Sequence, residues 1–225
     1  MRYKIKKVKV FPKGDIRWGK GVYLGMSMNN TMFRFEKTLN EILEILTTHT
    51  DSYIVLVGDH LHRYNEMIFD GCSENTAISS SIEKGELLKD FYRIVADRFP
   101  VKVNYEFITT ADIFNSKEYL PKIERLRKAY NNNTLFQQLV NYTIDIFLRR
   151  QSEVKVPLDT ARHLCGEYIL EELAIFEILA ERGYKVNIYP GNQLPIIKQL
   201  IAGNLKGVSE TLENIQAVEI KFKPY

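Results

Sequence analysis

A serine stands at the end of the first predicted strand, directly before a predicted helix. The strand is Val22–Met26, and Ser27 is the next residue. Ligands of open α/β sheets bind at the carboxyl ends of strands, and a helix N-terminus stabilises developing negative charge. The pattern Gly25-x-Ser27 also resembles a nucleophile elbow that lacks its second glycine. Ser27 is therefore a candidate nucleophile, and the alternative is that it only caps the helix.

The neighbours of this serine suggest a pocket beside it. Because side chains alternate along a strand, Tyr23, Gly25 and Ser27 share one face. Tyr23 would line the pocket and Gly25 would leave room in it.

A carboxylate on an apolar helical stripe is the second candidate. The helix is predicted over Asp159–Arg182, and at 100° per residue Tyr168, Glu172 and Ile175 fall on one stripe. The pattern makes Glu172 the only carboxylate in the apolar arc and places four others on the opposite side: Glu167, Glu171, Glu177 and Glu181. A buried carboxylate needs a cation, hydrogen bonds or a raised pKa. The ammonium group of a substrate, with the Tyr168 hydroxyl beside it, fits this need; a structural bridge to a tyrosine or an arginine is the alternative.

A third candidate lies at the end of a late strand, Lys185–Tyr189. Alternation puts Asn187 and Tyr189 on one face, and Tyr189 at the carboxyl end could meet Ser27 across the crevice. A plain core tyrosine is the alternative.

The histidines suggest weaker possibilities. His60 and His62 follow the second strand, but the isolated H-x-H pair lacks further ligands, so we expect no metal. A serine hydrolase triad of Ser27 with either histidine and an acid such as Asp59 stays open. Neither nucleotide-phosphate motif, G-x-x-x-x-G-K-[ST] or G-x-G-x-x-G, is present. We therefore expect no cofactor, neither ATP nor NAD.

These residues need an α/β scaffold to position them. Strands and helix-period segments alternate, which predicts a Rossmann-like, mainly parallel sheet flanked by helices. The first helix carries Phe35, Leu39 and Leu46 on one face, with Asn30 or Thr31 as its cap. The tail around Val218–Phe222 alternates and predicts a half-exposed strand. The remaining predicted strands are Tyr53–Val57 and Val101–Phe107. The remaining predicted helices are Asn75–Arg98, one that begins at about Lys117, and Thr134–Gln151.

Length and composition place limits on the class of protein. The chain has 225 residues, 45% hydrophobic and 26% charged, which predicts one domain over residues 1–225. No apolar run is long enough for a bilayer crossing, so we expect no membrane contact. Two cysteines and a polar start predict a cytoplasmic protein with reduced thiols. A monomer is the expectation.

Charge is concentrated at the start of the chain. Residues 1–20 hold eight lysines and arginines against one aspartate, a local charge of +7, whereas the net charge is +3. Such a segment could hold a polyanion such as RNA, so a non-catalytic RNA-binding protein is a further alternative. A solvated edge strand protected by lysines against aggregation is the explanation that charge alone favours.

Three motifs in this order resemble the cyclodipeptide synthases. They are Gly25-x-Ser27-x-x-Asn30, Tyr168-x-x-x-Glu172-Leu173 and Tyr189-Pro190. The resemblance implies the fold of the catalytic domain of class I aminoacyl-tRNA synthetases, without the ATP site. It also implies an aminoacyltransferase that uses two aminoacyl-tRNAs in sequence and releases a cyclic dipeptide, a diketopiperazine.

The resemblance also implies roles for individual residues. Ser27 would attack the aminoacyl ester and hold the amino acid covalently. Tyr168 and Glu172 would bind its ammonium group, and Tyr189 would assist proton transfer during ring closure. Pro190 resembles the Tyr-Pro subgroup of the family, whereas Asn30 is associated with the Tyr-His subgroup.

Two sets of binding residues complete the expectation. The amino acid pocket is predicted to contain Tyr23, Gly25, Asn30, Val55, Ile175 and Asn187. The resemblance places tRNA contacts on the helix after the second strand, where the basic residues are Lys84, Lys89, Arg93 and Arg98. Acidic neighbours dilute these cations, so a solvated helix with internal ion pairs is the alternative.

Overall fold

One six-stranded sheet organises the chain. The computed structural model describes residues 3–151 and 153–224, so Arg2 of the basic segment lies outside the described residues. The strand order is β1-β6-β5-β2-β3-β4, and among the strands of the described residues only the β1–β6 pair is antiparallel. The strands are β1 (Tyr3–Phe11), β2 (Val22–Met26), β3 (Ser52–Val57), β4 (Asn104–Thr109), β5 (Val186–Tyr189) and β6 (Gln216–Pro224).

Helices cover both faces of the sheet. Helices α1 and α3 pack on one face, and α5 to α9 together with α2 and α4 pack on the other. The helices are α1 (Glu36–His49), α2 (Arg63–Phe69), α3 (Glu74–Arg98), α4 (Thr110–Phe114), α5 (Tyr119–Asn132), α6 (Thr134–Leu148), α7 (Leu158–Glu181), α8 (Pro195–Ile201) and α9 (Glu210–Glu213). Among the described residues no helix combines the length and apolarity of a membrane span.

The predicted α/β class and the main elements are confirmed. The strand expected at Val101–Phe107 begins only at Asn104, and the helix expected to reach Gln151 ends at Leu148. Helices α2, α4, α8 and α9 were not predicted, because segments of seven residues or fewer are too short to show a helical period.

The prediction that Glu172 is the only carboxylate within the apolar arc of α7 is wrong. Glu171 and Glu177 are 3% and 1% exposed. The Glu171 carboxylate accepts hydrogen bonds from Arg63 and Tyr64 on α2, both at 2.8 Å, and Glu177 pairs with Arg125 on α5. Since α7 packs against the sheet and several helices, most of its circumference is buried, and a rule based on one apolar face fails.

The terminal strand also differs from its prediction. β6 lies between β1 and β5, and Glu219, expected on a solvent face, is fully buried. Its carboxylate accepts a hydrogen bond from the Gln193 backbone N–H at 2.8 Å and pairs with Lys198 at 2.5 Å. The edge position belongs instead to the lysine-rich β1, as the edge-strand interpretation of the basic segment predicted.

Candidate active site

A cavity of about 430 Å³ opens at the carboxyl ends of β2 and β5. Ser27, Tyr168, Glu172 and Tyr189 all line it. This volume falls in the ordinary range for small-molecule sites. The structure thus brings together the three sequence motifs, which lie on β2, α7 and β5.

Ser27 is held in a tight turn where β2 ends. The backbone N–H of Asn30 donates to the Ser27 carbonyl at 3.0 Å, and a 3₁₀ helix over Thr31–Arg34 follows. The Asn30 side chain caps that 3₁₀ helix by accepting from the Met32 N–H at 3.1 Å. The cap predicted for α1 therefore belongs to the 3₁₀ turn, and α1 itself begins after Phe35 without a side-chain cap.

Asn30 also connects this turn to the end of β5. Its amide Nδ2 donates to the Pro190 carbonyl at 2.5 Å, and its side chain lies close enough to the Tyr189 hydroxyl to lower the pKa of that group. A Cβ at Gly191 would lie 2.8 Å from Cε1 of the Tyr189 ring, so the close approach of this loop requires glycine. Asn30 is therefore a residue that orients Tyr189.

The Tyr189 hydroxyl lies close enough to the Ser27 side chain for the serine to lower its pKa. Burial raises the pKa of Tyr189, while Asn30 and Ser27 act in the opposite direction. The tyrosine is therefore neutral at physiological pH, and its hydroxyl can both donate and accept a proton beside Ser27.

Glu172 lies in the cavity, and no cation of the described residues pairs with it. Burial raises the pKa of Glu172 to about 8, and the hydrogen bond from the Tyr168 hydroxyl offsets only part of this effect. Burial and then the charge of Glu172 raise the pKa of Tyr168 as well. A carboxyl group that is close to ionisation at neutral pH suits binding of a cation or transfer of a proton.

Three polar atoms near Glu172 have no hydrogen-bond partner among the described residues. They are Glu172 Oε2, the Tyr23 hydroxyl oxygen and Asn187 Oδ1. Tyr23 and Asn187 are directly paired in the β2–β5 register, and the charge of Glu172 raises the pKa of Tyr23 further beyond the effect of burial. Unpartnered buried polar atoms are rare in proteins, so their concentration here indicates a site for a polar ligand group.

The predicted amino acid pocket is mostly where the sequence placed it. Gly25, Asn30, Ile175 and Asn187 line the cavity, and Tyr23 lies just behind its wall. Val55 does not belong to it: Val55 pairs with Leu24 and packs on the opposite face of the sheet. Leu56 lines the cavity instead, because it pairs with Gly25 and side chains alternate between faces.

Sequence reasoning missed the residues that complete the cavity on the side of α2 and α6. They include Leu61, Asn65, Ile68, Thr143, Ile144 and Phe147. The first three follow β3, and the general rule that ligands bind beyond strand ends could have found them. The α6 residues carried no such signal.

The hydrolase triad is not formed. His62 lines the same cavity as Ser27, but its Nδ1 lies 3.2 Å from Asn65 Nδ2 and its Nε2 lies 3.1 Å from the Glu66 carboxylate. Both ring nitrogens are engaged, so neither can take the Ser27 proton. His60 Nδ1 lies 2.9 Å from Arg63. Asp59 accepts bonds from the Thr110 hydroxyl and two backbone N–H groups.

The basic residues predicted on α3 are largely neutralised by their own neighbours. Lys84 pairs with the buried Glu66, and Lys89 pairs with Glu86 at 2.5 Å. Arg93 donates to Asp90 at 2.7 Å and lies 5.0 Å over the Phe107 ring. The ion-paired alternative therefore describes much of this helix.

The fold and the position of the cavity first define a broad class. The mainly parallel sheet with its site at the strand ends is the Rossmann-like architecture that cyclodipeptide synthases share with class I aminoacyl-tRNA synthetases. Tyrosyl-tRNA synthetase from Archaeoglobus fulgidus has a TM-score of 0.55 and 14% identity, over 90% of this chain and 55% of that chain.

Within this class, the chain has the cyclodipeptide synthase fold. A cyclodipeptide synthase from Fluoribacter dumoffii is similar with a TM-score of 0.79 and 20% identity, over 97% of this chain and 99% of that chain. A cyclodipeptide synthase from Candidatus Glomeribacter gigasporarum, bound to Phe-tRNA, has a TM-score of 0.69 and 15% identity, over 91% of this chain and 88% of that chain. No family model matches the sequence, and a search of curated proteins finds no relative.

Proposed function

We propose that this protein is a tRNA-dependent cyclodipeptide synthase that works through a covalent aminoacyl-Ser27. One observation carries the proposal: Ser27 and Tyr189 share a cavity with Glu172, a half-buried carboxyl group whose Oε2 atom is buried and has no partner among the described residues. The fold is that of solved cyclodipeptide synthases, one of them bound to Phe-tRNA.

In the first step the Ser27 oxygen attacks the aminoacyl ester. A bond forms between Ser27 Oγ and the carbonyl carbon, the bond from that carbon to the ribose oxygen of the tRNA breaks, and the serine proton ends on the released ribose oxygen. The ester is already activated, so Ser27 needs less help than a protease serine does. This chemistry is compatible with a site in which both ring nitrogens of His62 are already engaged.

The unpartnered polar atoms support the binding of the amino group. An ammonium ion has three N–H donors, and two atoms of cavity-lining residues, Glu172 Oε2 and Asn187 Oδ1, have no partner among the described residues and can accept from it. The positive charge would favour ionised Glu172, because an opposite charge lowers the pKa of a carboxyl group.

Two acyl transfers then complete the cycle. Glu172 accepts a proton from the ammonium group, and the free amine attacks the ester of a second aminoacyl-tRNA. The amide bond forms, the bond from the carbonyl carbon to the ribose oxygen breaks, and the second tRNA leaves with a proton from the amine, which gives a dipeptidyl-Ser27. The new amine then attacks the Ser27 ester, the ring closes as the bond from the carbonyl carbon to Ser27 Oγ breaks, and the amine proton passes to Ser27 Oγ with the help of Tyr189. The reaction needs no ATP because both esters arrive activated.

The test is mass analysis of the intact protein after incubation with charged tRNA. The wild type should carry an aminoacyl adduct that maps to Ser27 and should release a cyclic dipeptide. Ser27→Ala should do neither while keeping its fold by circular dichroism. An adduct on another residue, or none, would refute the covalent mechanism.

The same experiment separates the alternatives. A serine hydrolase would turn over small activated esters without tRNA and would lose activity on His62→Ala. A non-catalytic RNA-binding protein would bind tRNA equally well in wild type and Ser27→Ala and release no product.

A further inference from the structure

A second cavity lies at the opposite end of the strands from the active site, and we call it the amino-end cavity. Its volume is about 210 Å³, and its lining residues are Arg17, Lys20, Lys185, Val186 and Asn214. Val186 begins β5 and pairs with Val22 and Gln216, which begin β2 and β6. The cavity therefore lies at the amino ends of three parallel strands, whereas the candidate active site lies at the carboxyl ends of β2 and β5.

The loop that carries Arg17 and Lys20 is fastened to the start of β6. The side chain of Gln216, which is 2% exposed, accepts from the Arg17 backbone N–H at 2.8 Å and donates to the Asp15 carbonyl at 2.9 Å. The Lys20 backbone N–H donates to the Arg17 carbonyl at 2.8 Å and closes a turn between the two residues. These contacts use the backbone of the loop and leave both charged side chains available.

The start of β5 forms the facing wall. The Gly21 carbonyl accepts from the backbone N–H groups of Lys185 and Val186 at 2.8 and 3.1 Å. The Lys185 carbonyl in turn accepts from the Gln216 backbone N–H at 2.7 Å. Arg17 and Lys185 are thus joined through Gln216, and the cavity has a hydrogen-bonded backbone on both sides.

The charge of the amino-end cavity is not balanced. Three of its five lining residues are cations, and none is acidic in the part of the chain that the structure describes. Arg17, Lys20 and Lys185 take part in no salt bridge with another described residue. By contrast, the cations Arg125 and Lys198 pair with buried glutamates. Cations gathered around a concave surface raise the local concentration of anions, so the cavity is suited to a negatively charged group.

The size of the cavity and the type of its donors limit the class of anion. Sites for whole small molecules begin at about 300 Å³, so this cavity suits one compact charged group. A phosphate group carries about 1.5 to 2 negative charges, whereas a carboxylate carries one, so a phosphate group better balances three cations. An arginine side chain can bind two phosphate oxygens at once, and a lysine acts as a point charge.

We infer that the amino-end cavity binds a phosphate group, with Arg17 holding two of its oxygens and with Lys20 and Lys185 balancing its charge. Free phosphate, pyrophosphate and the terminal phosphate of a nucleotide share this chemistry, and the experiment separates them. Since Val186 and Tyr189 are the two ends of β5, roughly 10 Å of strand lies between this site and the active site. Binding here is therefore measured independently of any reaction at Ser27.

The chain provides a reporter for the test. Trp18 is its single tryptophan, follows Arg17 directly, and stacks on His49 with ring centroids 4.6 Å apart. Occupation of the cavity should change the fluorescence emission of Trp18. Pyrophosphate is titrated at constant ionic strength, and inorganic phosphate, ADP and a short single-stranded RNA are the other arms. Isothermal titration calorimetry gives a second measurement that does not depend on Trp18.

The test variant is the double substitution of Arg17→Ala and Lys185→Ala. Both positions are anchored through backbone groups that alanine retains, so the fold should be kept. Arg17→Lys with Lys185→Arg keeps both charges and is the conservative variant. Lys117→Ala with Lys128→Ala is the matched control, because it removes two exposed charges that do not line the cavity.

For the wild type we expect saturable binding of pyrophosphate, seen both in the emission of Trp18 and in the heat. The double alanine variant should bind about 100-fold more weakly, from roughly tenfold for each charge-assisted bond that is lost. The conservative variant should recover most of the binding, and the control should equal the wild type. Tighter binding of ADP than of pyrophosphate would assign the site to a nucleotide phosphate, and the reverse order would assign it to a free anion.

Three results would overturn the inference. They are the absence of saturable binding to the wild type, wild-type affinity in the double alanine variant, and an equal loss in the control. Displacement of pyrophosphate by the RNA at lower concentration would also overturn it, because this surface would then bind a polynucleotide.

Discussion

Replacement of Glu172 by glutamine should stabilise the free protein increasingly as pH rises. Glutamine keeps the shape of the side chain and an acceptor for the Tyr168 hydroxyl, but it cannot ionise. Burial raises the pKa of Glu172 from an ordinary 4.5 to about 8 in the folded chain. Ionisation of Glu172 is therefore unfavourable in the folded wild type, whereas the variant has no carboxyl group to ionise at this position.

The sign of this pH dependence follows from the number of protons that the folded and the unfolded chain each bind. Below pH 4.5 the carboxyl group is protonated in both the folded and the unfolded chain, and its favourable contribution to the free energy of unfolding is fully present. Between pH 4.5 and about 8 the unfolded chain ionises and the folded chain does not, so the free energy of unfolding falls. The fall is about 1.4 kcal/mol per pH unit and reaches roughly 5 kcal/mol across the window.

The assay is urea unfolding of wild type and Glu172→Gln at several values from pH 5 to pH 8. The difference in free energy of unfolding should increase with pH at a slope approaching 1.4 kcal/mol per unit. Any effect of the amide itself is independent of pH, so the slope is the measurement. Glu124→Gln on the exposed side of α5 controls for loss of a surface carboxylate.

Product formation by Glu172→Gln should fall sharply, because the amide neither balances the ammonium charge nor accepts its proton. A difference in stability that does not change with pH would refute the raised pKa of Glu172. Full turnover by the variant would instead refute its role in amine binding.

Two further variants test the rest of the site, and a third tests the packing of α3 against the turn at Asp59. Tyr189→Phe removes the hydroxyl beside Ser27 and should slow release of the cyclic dipeptide by about 10²-fold or more; an unchanged rate would exclude proton transfer by this hydroxyl. His62→Gln should keep acylation within a few-fold of wild type, since both ring nitrogens are already engaged; loss of activity would favour the hydrolase. Gly85→Ala places a Cβ 2.8 Å from Cβ of Asp59 and should lower the free energy of unfolding by about 1–3 kcal/mol, seen as a lower urea midpoint. An unchanged midpoint would show that the backbone at Asp59 moves away at little cost.

The local motifs of the site could be predicted from the sequence because each depends on one short-range period. Strand alternation brings Asn187 and Tyr189 to one face, and the helical repeat aligns Tyr168 with Glu172. The place of Ser27 at a strand end follows from the boundary of a single apolar run. The α/β class follows in the same way from the alternation of two periods along the chain.

Only the tertiary structure decided which distant segments meet. The pairing register of β2 and β3 puts Leu56 rather than Val55 in the cavity. The helices around α7 bury Glu171, which a single helical period assigned to the outer side. Asn30 orients Tyr189 across 159 positions of chain, and β6 brings Lys221 opposite Lys7. Local periodicity shows which residues share a face, but pairing and packing between remote segments decide what that face contacts.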